Sequence, residues 1–110
     1  MPRFITFFSY TADSAKAMIE KPSDRSAAAK GLVESLGGTM EAFYWMTGKH
    51  DGFLISNVKD GVTGAALSVA VGATGAITSI ESHQIFDLDE QASIVEKAAT
   101  ARKAYRPPTG

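Results

Sequence analysis

The four residues Gly-Lys-His-Asp at positions 48–51 lie between two runs in which side chains alternate with a period of two, residues 39–47 and 52–58. That period is typical of β-strands, and a glycine supplies the backbone angles that a tight connection requires. The sequence therefore predicts two antiparallel strands joined by a short turn in the middle of the chain. The turn also carries an ionisable pair, His50 and Asp51.

The rest of the chain divides into segments of recognisable pattern. Aromatic and β-branched residues predict a first strand over 4–10 and a fourth over 75–86. Apolar spacing of three and four predicts helices over 12–20, from about 24 to 36, over 61–73 and from 88 to about 104. The spacing places Val62 and Val69 on the buried side of the third helix, although that helix is apolar nearly all round. In the last helix the inward residues are Leu88, Ala92, Val95 and Ala99. Pro22 interrupts the first helical stretch, and Gly37-Gly38 ends the second. Asp87 and Glu90 resemble a capping box before the last helix.

The predicted order is β-α-β-β-α-β-α. Short helices on one face of an antiparallel sheet give the ferredoxin-like α+β plan, with an added C-terminal helix. A chain of 110 residues is long enough for one core only. We expect a domain over residues 1–87, a helix of the same domain over 88–105, and a flexible tail over 106–110.

Both faces of the predicted sheet are apolar. The first strand places Phe4, Phe8 and Tyr10 on one face, and Ile5 and Phe7 on the other. Alternation in the second strand likewise divides Met40, Ala42, Tyr44 and Met46 from Phe43 and Trp45. A sheet with one face in water alternates apolar and polar residues instead. The helices cover one face only, so we expect a second copy of the chain to cover the other, usually by a two-fold axis. The predicted partner is therefore the chain itself, as a homodimer or a higher oligomer.

Composition excludes several classes of function. Eleven basic and twelve acidic residues give a net charge of -1, so nothing favours binding to nucleic acid or to an anionic membrane. The chain has no cysteine, which excludes disulfides, thiolate nucleophiles and cysteine metal sites. No phosphate loop or dinucleotide motif indicates a cofactor. No signal-peptide pattern follows Met1, so a cytoplasmic location is the default expectation.

One uncharged stretch, residues 61–80, is long enough to raise the question of a membrane span. Four glycines and three threonines dilute its hydrophobicity, and residues 72–75 indicate a break between two elements. A buried helix followed by a strand is the favoured interpretation.

In order and spacing, these features resemble the GYD domain family of small bacterial and archaeal proteins. The resemblance rests on the opening strand, Leu36-Gly37-Gly38, Phe43-Tyr44, the 48–51 turn, the alanine-rich helix and the strand led by Gly75, and covers residues 2–88. His50 stands where the family signature has tyrosine. The resemblance implies a ferredoxin-like fold with dimeric α/β-barrel relatives and no settled activity.

The turn offers the first candidate site. A histidine titrates near neutral pH and an aspartate can orient a base, so His50 and Asp51 are candidates for ligand binding, and His50 for general base catalysis. Adjacent residues on an extended chain point to opposite faces, however, which separates the two side chains. For Asp51 we favour a structural role, in which the carboxylate satisfies backbone amides of the turn.

A second candidate base, His83, lies in the last strand two residues after Glu81 and on the same face. With His50 these side chains would meet the minimal donor list for zinc or iron. Nothing in their spacing brings them together, so no metal is predicted and a solvated strand histidine is favoured.

Aromatic residues form the third group. Tyr44 and Trp45, with Phe43, could wall a pocket for a flat or apolar small molecule. Core or dimer contacts are the commoner role for such side chains.

Three functions remain open. The favoured one is a homo-oligomeric small-molecule-binding or assembly module. The alternative is a cofactor-free oxygenase or isomerase of the dimeric α/β-barrel type, with His50 or His83 as base. A regulatory ligand sensor is the third, and it would need a DNA-binding partner on another chain.

Overall fold

The computed structural model describes residues 1–109. It contains four strands and four helices in these residues. In chain order they are β1 (Arg3–Tyr10), α1 (Ala12–Glu20), α2 (Arg25–Ser35), β2 (Thr39–Trp45), β3 (Gly52–Asn57), α3 (Gly61–Gly72), β4 (Ile77–Ile85) and α4 (Leu88–Ala104). The predicted order of elements is confirmed, with boundaries that differ by one or two residues.

Each helix begins after a side chain that accepts a hydrogen bond from the backbone of the first turn. The caps are Thr11, Asp24, Asp60 and Asp87. Such caps satisfy amides that have no partner inside the helix. Asp87 also forms the predicted capping box, in which the Glu90 carboxylate accepts from the Asp87 amide at 3.1 Å.

The four strands form one antiparallel sheet in the order β2-β3-β1-β4. The register places Phe8 opposite Gly52 on one side and opposite Ile80 on the other. In β2 the register shifts between Met40 and Ala42, so these residues lie on opposite faces of the sheet. Simple alternation had placed them on one face, and the prediction was wrong because the irregularity inserts one extra residue.

The two faces of the sheet have different surroundings. On β1, Phe4, Thr6, Phe8 and Tyr10 face α2 and α3, and we call this side the helix face. The opposite side, which carries Ile5, Phe7 and Ser9 of β1 and the residues in register with them, is called the open face. In the described part of the chain no helix packs on the open face.

The orientation of α3 differs from the prediction. Sequence periodicity placed Val62 and Val69 on the buried side, yet these side chains are 80% and 71% exposed. Gly64 lies over Phe4 instead, where a Cβ atom would stand 3.8 Å from the Phe4 ring, and Leu67 and Val71 also turn toward the sheet. Because α3 is apolar on all sides, its periodicity does not indicate which side is buried. The close approach of the backbone at Gly64 sets which side of α3 faces the sheet.

The last helix also differs. We predicted that Leu88, Ala92, Val95 and Ala99 would face the core, but every residue of α4 is exposed. Leu88 is 81% and Val95 59% exposed. The helix packs along no other element of residues 1–109 and projects from the body. The helix itself was predicted correctly, and its packing partner was not.

The single chain buries less of its surface than a compact monomer of its size does. Only Phe8, Val33 and Val58 are buried apolar residues within 1–109. The chain exposes 7794 Å², whereas a compact monomer of 11.6 kDa exposes roughly 5,800 Å². Its radius of gyration is 17.7 Å, against about 13 Å for a compact domain of this length. The apolar side chains exposed on α4, among them Leu88 and Val95, contribute to this excess.

Within residues 1–109, none of the helices has both the length and the apolar character needed to cross a membrane. The expected tail over 106–110 includes Gly110, which lies outside the described residues.

Candidate functional site

The turn between β2 and β3 fixes the first two candidates. The amide of Met46 donates to the carbonyl oxygen of Asp51 at 2.8 Å, which closes the connection. Gly48 has φ = 108°, a left-handed value that side chains rarely adopt, as predicted for the glycine of this turn. The amide of Asp51 donates to the Phe8 carbonyl at 2.8 Å, so the turn is bonded to the central strand β1.

The Asp51 side chain has a structural role. Its Oδ2 atom accepts a hydrogen bond of 2.8 Å from the backbone amide of Tyr10, at the end of β1. The carboxylate therefore satisfies a backbone amide, as the interpretation favoured from sequence required, but that amide is not one of the turn's own. The amide belongs to a residue 41 positions earlier, so the contact joins the turn to β1 rather than closing a local motif.

Replacing Asp51 with alanine is expected to lower the free energy of unfolding by about 1–3 kcal/mol, since it removes the acceptor of a partly buried amide. Asp51→Asn keeps an acceptor oxygen and should recover most of the loss. Lys49→Ala, an exposed change in the same turn, serves as the control. Urea denaturation at one protein concentration measures all three, and equal values for Asp51→Ala and Lys49→Ala would contradict this role.

His50 is held on the open face. Its imidazole stacks on Phe7 with ring centroids 5.6 Å apart, and its Nδ1 atom lies 3.3 Å from the Ser9 hydroxyl oxygen. The side chain is only 8% exposed, although no helix covers this face. His50 and Asp51 therefore point to different partners, as the alternation argument predicted, and do not form a histidine–carboxylate pair.

His83 lies on the same face across β1. Its ring meets the Phe7 ring edge-on, with centroids 6.5 Å apart, and its Nε2 atom lies 3.0 Å from Glu81 Oε2. The hydrogen bond to His83 lowers the pKa of the Glu81 carboxyl. His83 and Glu81 are about half exposed, in agreement with a solvated strand position in the single chain.

The two histidines therefore flank one aromatic ring, that of Phe7, on the open face. Among residues 1–109, no group of three or more His, Asp or Glu side chains lies close enough to hold a metal ion. The zinc or iron site that His50, His83 and Glu81 could have formed is not assembled. These contacts give the oxygenase or isomerase alternative no support.

Tyr44 and Trp45 lie on opposite faces of β2. Tyr44 packs on Phe53 on the open face, with ring centroids 5.5 Å apart. Trp45 stacks on Tyr10 at 5.4 Å on the helix face. Their side chains are 60% and 57% exposed. Only Tyr44 belongs with His50, so the four predicted ligand-binding residues do not line a single pocket.

Sequence reasoning missed Phe7, the residue at the centre of the aromatic contacts on the open face. Phe7 contacts both imidazoles and Phe53, with a centroid distance of 6.1 Å to the latter ring. Alternation placed Phe7 on the correct face but gave no pairing between strands. The signal is the register, in which Phe7 lies opposite Phe53 on β3 and Glu81 on β4.

The resulting surface has an aromatic centre and polar edges. Phe7, Phe53 and Tyr44 form the centre, and the imidazoles of His50 and His83 border it. Such a surface can stack a flat molecule and offer it hydrogen-bonding nitrogens and hydroxyls. In a single chain this surface could contact a bound molecule from one side only.

Comparison with known proteins identifies the family. Curated proteins gave no match. The model of the GYD domain matches residues 4–95, which include all four strands except Arg3 of β1, the 48–51 turn and the first half of α4. Since the match covers most of the 110 residues, the chain belongs to the GYD domain family.

Proposed function

We propose that this protein is a homo-oligomeric GYD-type module that binds a small, flat, largely apolar molecule between the open faces of two copies. The observation that carries the proposal is the open face itself. Its apolar centre is only half-buried in the single chain and has two imidazoles at its border. The strand order and the helices on one side fit the ferredoxin-like plan, and pairing of two sheets would give a dimeric α/β-barrel-like assembly.

The composition of the open face favours a protein partner. Ile5, Phe7, Phe53 and Ile55 lie side by side across β1 and β3. The polar groups lie toward the ends and edge: Arg3 pairs with Glu41 at 2.7 Å, and His83 pairs with Glu81. An apolar centre surrounded by a polar rim is the usual composition of an interface core and its border.

The exposed area supports the same conclusion. The chain exposes about 2,000 Å² more than a compact monomer of its mass, by the usual scaling of area with mass. Stable interfaces bury about 800 Å² on each partner. The excess is thus large enough for more than one interface, and a second copy of the same chain is the simplest partner with a matching apolar face.

The ligand chemistry follows from the border of the aromatic centre. Two such faces would enclose rings above and below, which suits a flat molecule. His83, Ser9 and Tyr44 offer a nitrogen and hydroxyls but no fixed positive charge, and the largely buried His50 borders them beside Ser9. A neutral planar compound with one hydrogen-bonding group therefore fits better than a phosphate or a carboxylate.

Titration with indole, a flat neutral compound with one N–H donor, tests the proposal. The chain has two histidines, so the imidazole signals in a ¹H–¹⁵N NMR spectrum report both borders of the site. We expect saturable shifts of both imidazoles. Tyr44→Ala should weaken the affinity for indole, as read from these shifts, by about tenfold, as expected for loss of an aromatic contact inside an interface. Trp45→Ala, on the other face, is the matched control and should leave the shifts unchanged. Weaker indole-induced shifts in Trp45→Ala would refute the proposed ligand class. The absence of any imidazole shift at millimolar indole would refute it as well.

A further inference from the structure

A second unpartnered apolar surface lies on α4. Most of its apolar residues share one half of the helix circumference, which also carries Gln91 and Arg102, while the other half is polar except for Ala104. The apolar half carries Leu88, Ala92, Ile94, Val95, Ala98, Ala99, Ala101 and Tyr105 just beyond the helix end. A helix of this length is only marginally stable alone in water, and most helices depend on the packing of such a face. Within residues 1–109 that packing partner is missing.

A groove on the helix face has complementary properties. It lies between α2 and α3, which do not pack along each other, and has a volume of about 520 Å³. Phe4 and Leu54 of the sheet form part of its floor, and Ala28 and Ala65 form part of its walls. Both alanines are exposed to solvent, so the groove is open along the top. Small wall residues allow another helix to approach closely.

We propose that α4 is an exchange arm whose apolar half lies in the groove between α2 and α3 of a second copy of this chain. We choose a second copy as the partner because the same chain carries both the unpacked apolar helix and the apolar groove. This inference does not depend on pairing of the open faces.

The dimensions of the two surfaces agree. At 1.5 Å per residue, the 12 residues of α3 span roughly 18 Å, and the apolar stretch of α4 from Leu88 to Ala101 spans roughly 20 Å. Packed helices lie about 8–10 Å apart, and alanine at the contacts allows the shorter distances. One helix therefore occupies the groove along its whole length.

Charges fix the direction of the arm. Arg25 is the charged residue among those that line the groove, and it begins α2. Near the end of the same helix, Glu34 lies outside the groove lining and pairs with Lys30 at 3.8 Å. In α4, Asp89 and Glu90 lie in the first turn, and Arg102 and Lys103 in the last. An α4 arm parallel to α2 therefore places acidic residues near Arg25 at the start of the groove.

Cysteine cross-linking tests the arm directly, because the natural chain has no cysteine. One preparation carries Ala28→Cys in the groove wall, and a second, tagged preparation carries Val95→Cys on the apolar side of α4. The two are unfolded together, refolded and oxidised. We expect the disulfide-linked heterodimer to exceed either homodimer by about tenfold, since mild oxidation joins only cysteines whose Cα atoms approach within about 7 Å.

Two controls make each outcome decisive. Lys97→Cys, on the polar side of α4, replaces Val95→Cys and should give little heterodimer. A single chain with both Ala28→Cys and Val95→Cys should form little internal disulfide at high dilution. Internal closure would show that α4 folds back onto its own chain. A dominant Val95→Cys homodimer would show pairing of two α4 helices, and no cross-link in any mixture would leave the groove to another occupant. Each of these three results overturns the proposal.

The arm and the open face are separable experimentally. Two distinct two-fold interfaces would join four copies. Val95→Glu should then halve the mass of the assembly, whereas Lys97→Glu should not. The Ala28–Val95 cross-link should survive Tyr44→Asp, which alters only the open face. If the Ala28→Cys and Val95→Cys proteins do not cross-link although copies still associate through the open face, the arm is rejected. The proposed function is then unaffected.

Discussion

Replacing Tyr44 with aspartate is expected to weaken association through the open face by at least about 100-fold, because a buried interface charge without a partner costs about 3–5 kcal/mol. Tyr44 lies on Phe53 at the aromatic centre of this face. Its side chain is 60% exposed in the single chain, so the substitution leaves the fold of each copy largely intact. Sedimentation velocity over a dilution series measures the change in the dissociation constant.

The chain provides a matched control in the next residue. Trp45 is 57% exposed on the same strand but faces the helix side, where it stacks on Tyr10. Trp45→Asp adds the same charge at an equally exposed aromatic position and should leave association through the open face unchanged. Equal dissociation by the two variants would mean that general destabilisation, and not the open face, controls assembly.

The largest expected loss of folding stability comes from Gly52→Ala. Gly52 is buried in β3 opposite Phe8 and Trp45. A Cβ atom there would stand 2.5 Å from the carbonyl oxygen of Tyr44 and 2.6 Å from Cζ of Phe8. A backbone oxygen in a paired strand has little freedom to move away. Overpacking of this kind costs typically 1–3 kcal/mol and sometimes more, so we expect a loss of about 3 kcal/mol.

Gly31→Ala is the matched glycine control and should change stability in the opposite direction. Gly31 lies inside α2, and a Cβ atom there would meet nothing within 4 Å. Alanine is favoured over glycine in a helix interior by about 0.5–1 kcal/mol, so this variant should be more stable than the natural chain. Chemical denaturation of both variants at one protein concentration gives the comparison. A Gly52→Ala variant as stable as the natural chain would show that β2 and β3 are not paired in this register.

Local sequence signals predicted the fold well because each element carries its own boundary. Thr11, Asp24, Asp60 and Asp87 cap the four helices by contacts within three residues, so their positions are readable from the chain. Period-two alternation assigned the faces of β1 correctly. It failed in β2 beyond Met40, where one inserted residue reverses the alternation and no composition signal marks the insertion.

The site was predicted only in part because it depends on contacts between distant residues. Asp51 and Tyr10 are 41 positions apart, as are Ser9 and His50. Sequence spacing predicted that His50 and Asp51 separate, which needs only adjacent residues. It did not reveal that His50 and His83 flank Phe7, which needs the register of β4 against β1 and the path of the 48–51 turn beside it.

The packing of α4 was beyond sequence reasoning for a different reason. The pattern that predicts an apolar side, with Leu88 and Val95 on it, contains no information about which surface covers that side. A core within the same chain was the default expectation. In the described residues the helix projects from the body, and only the complementary groove indicates a partner.

Sedimentation equilibrium of the unmodified protein at micromolar concentration tests the central claim most directly. The open face, the apolar side of α4 and the groove, together with a small buried core, predict an assembly of at least two copies, with a mass no less than about twice the 11.6 kDa of the chain. A folded, stable species of 11.6 kDa that persists as concentration rises would contradict the account. The open face and the groove would then lie in water, and neither surface would require a second copy of the chain.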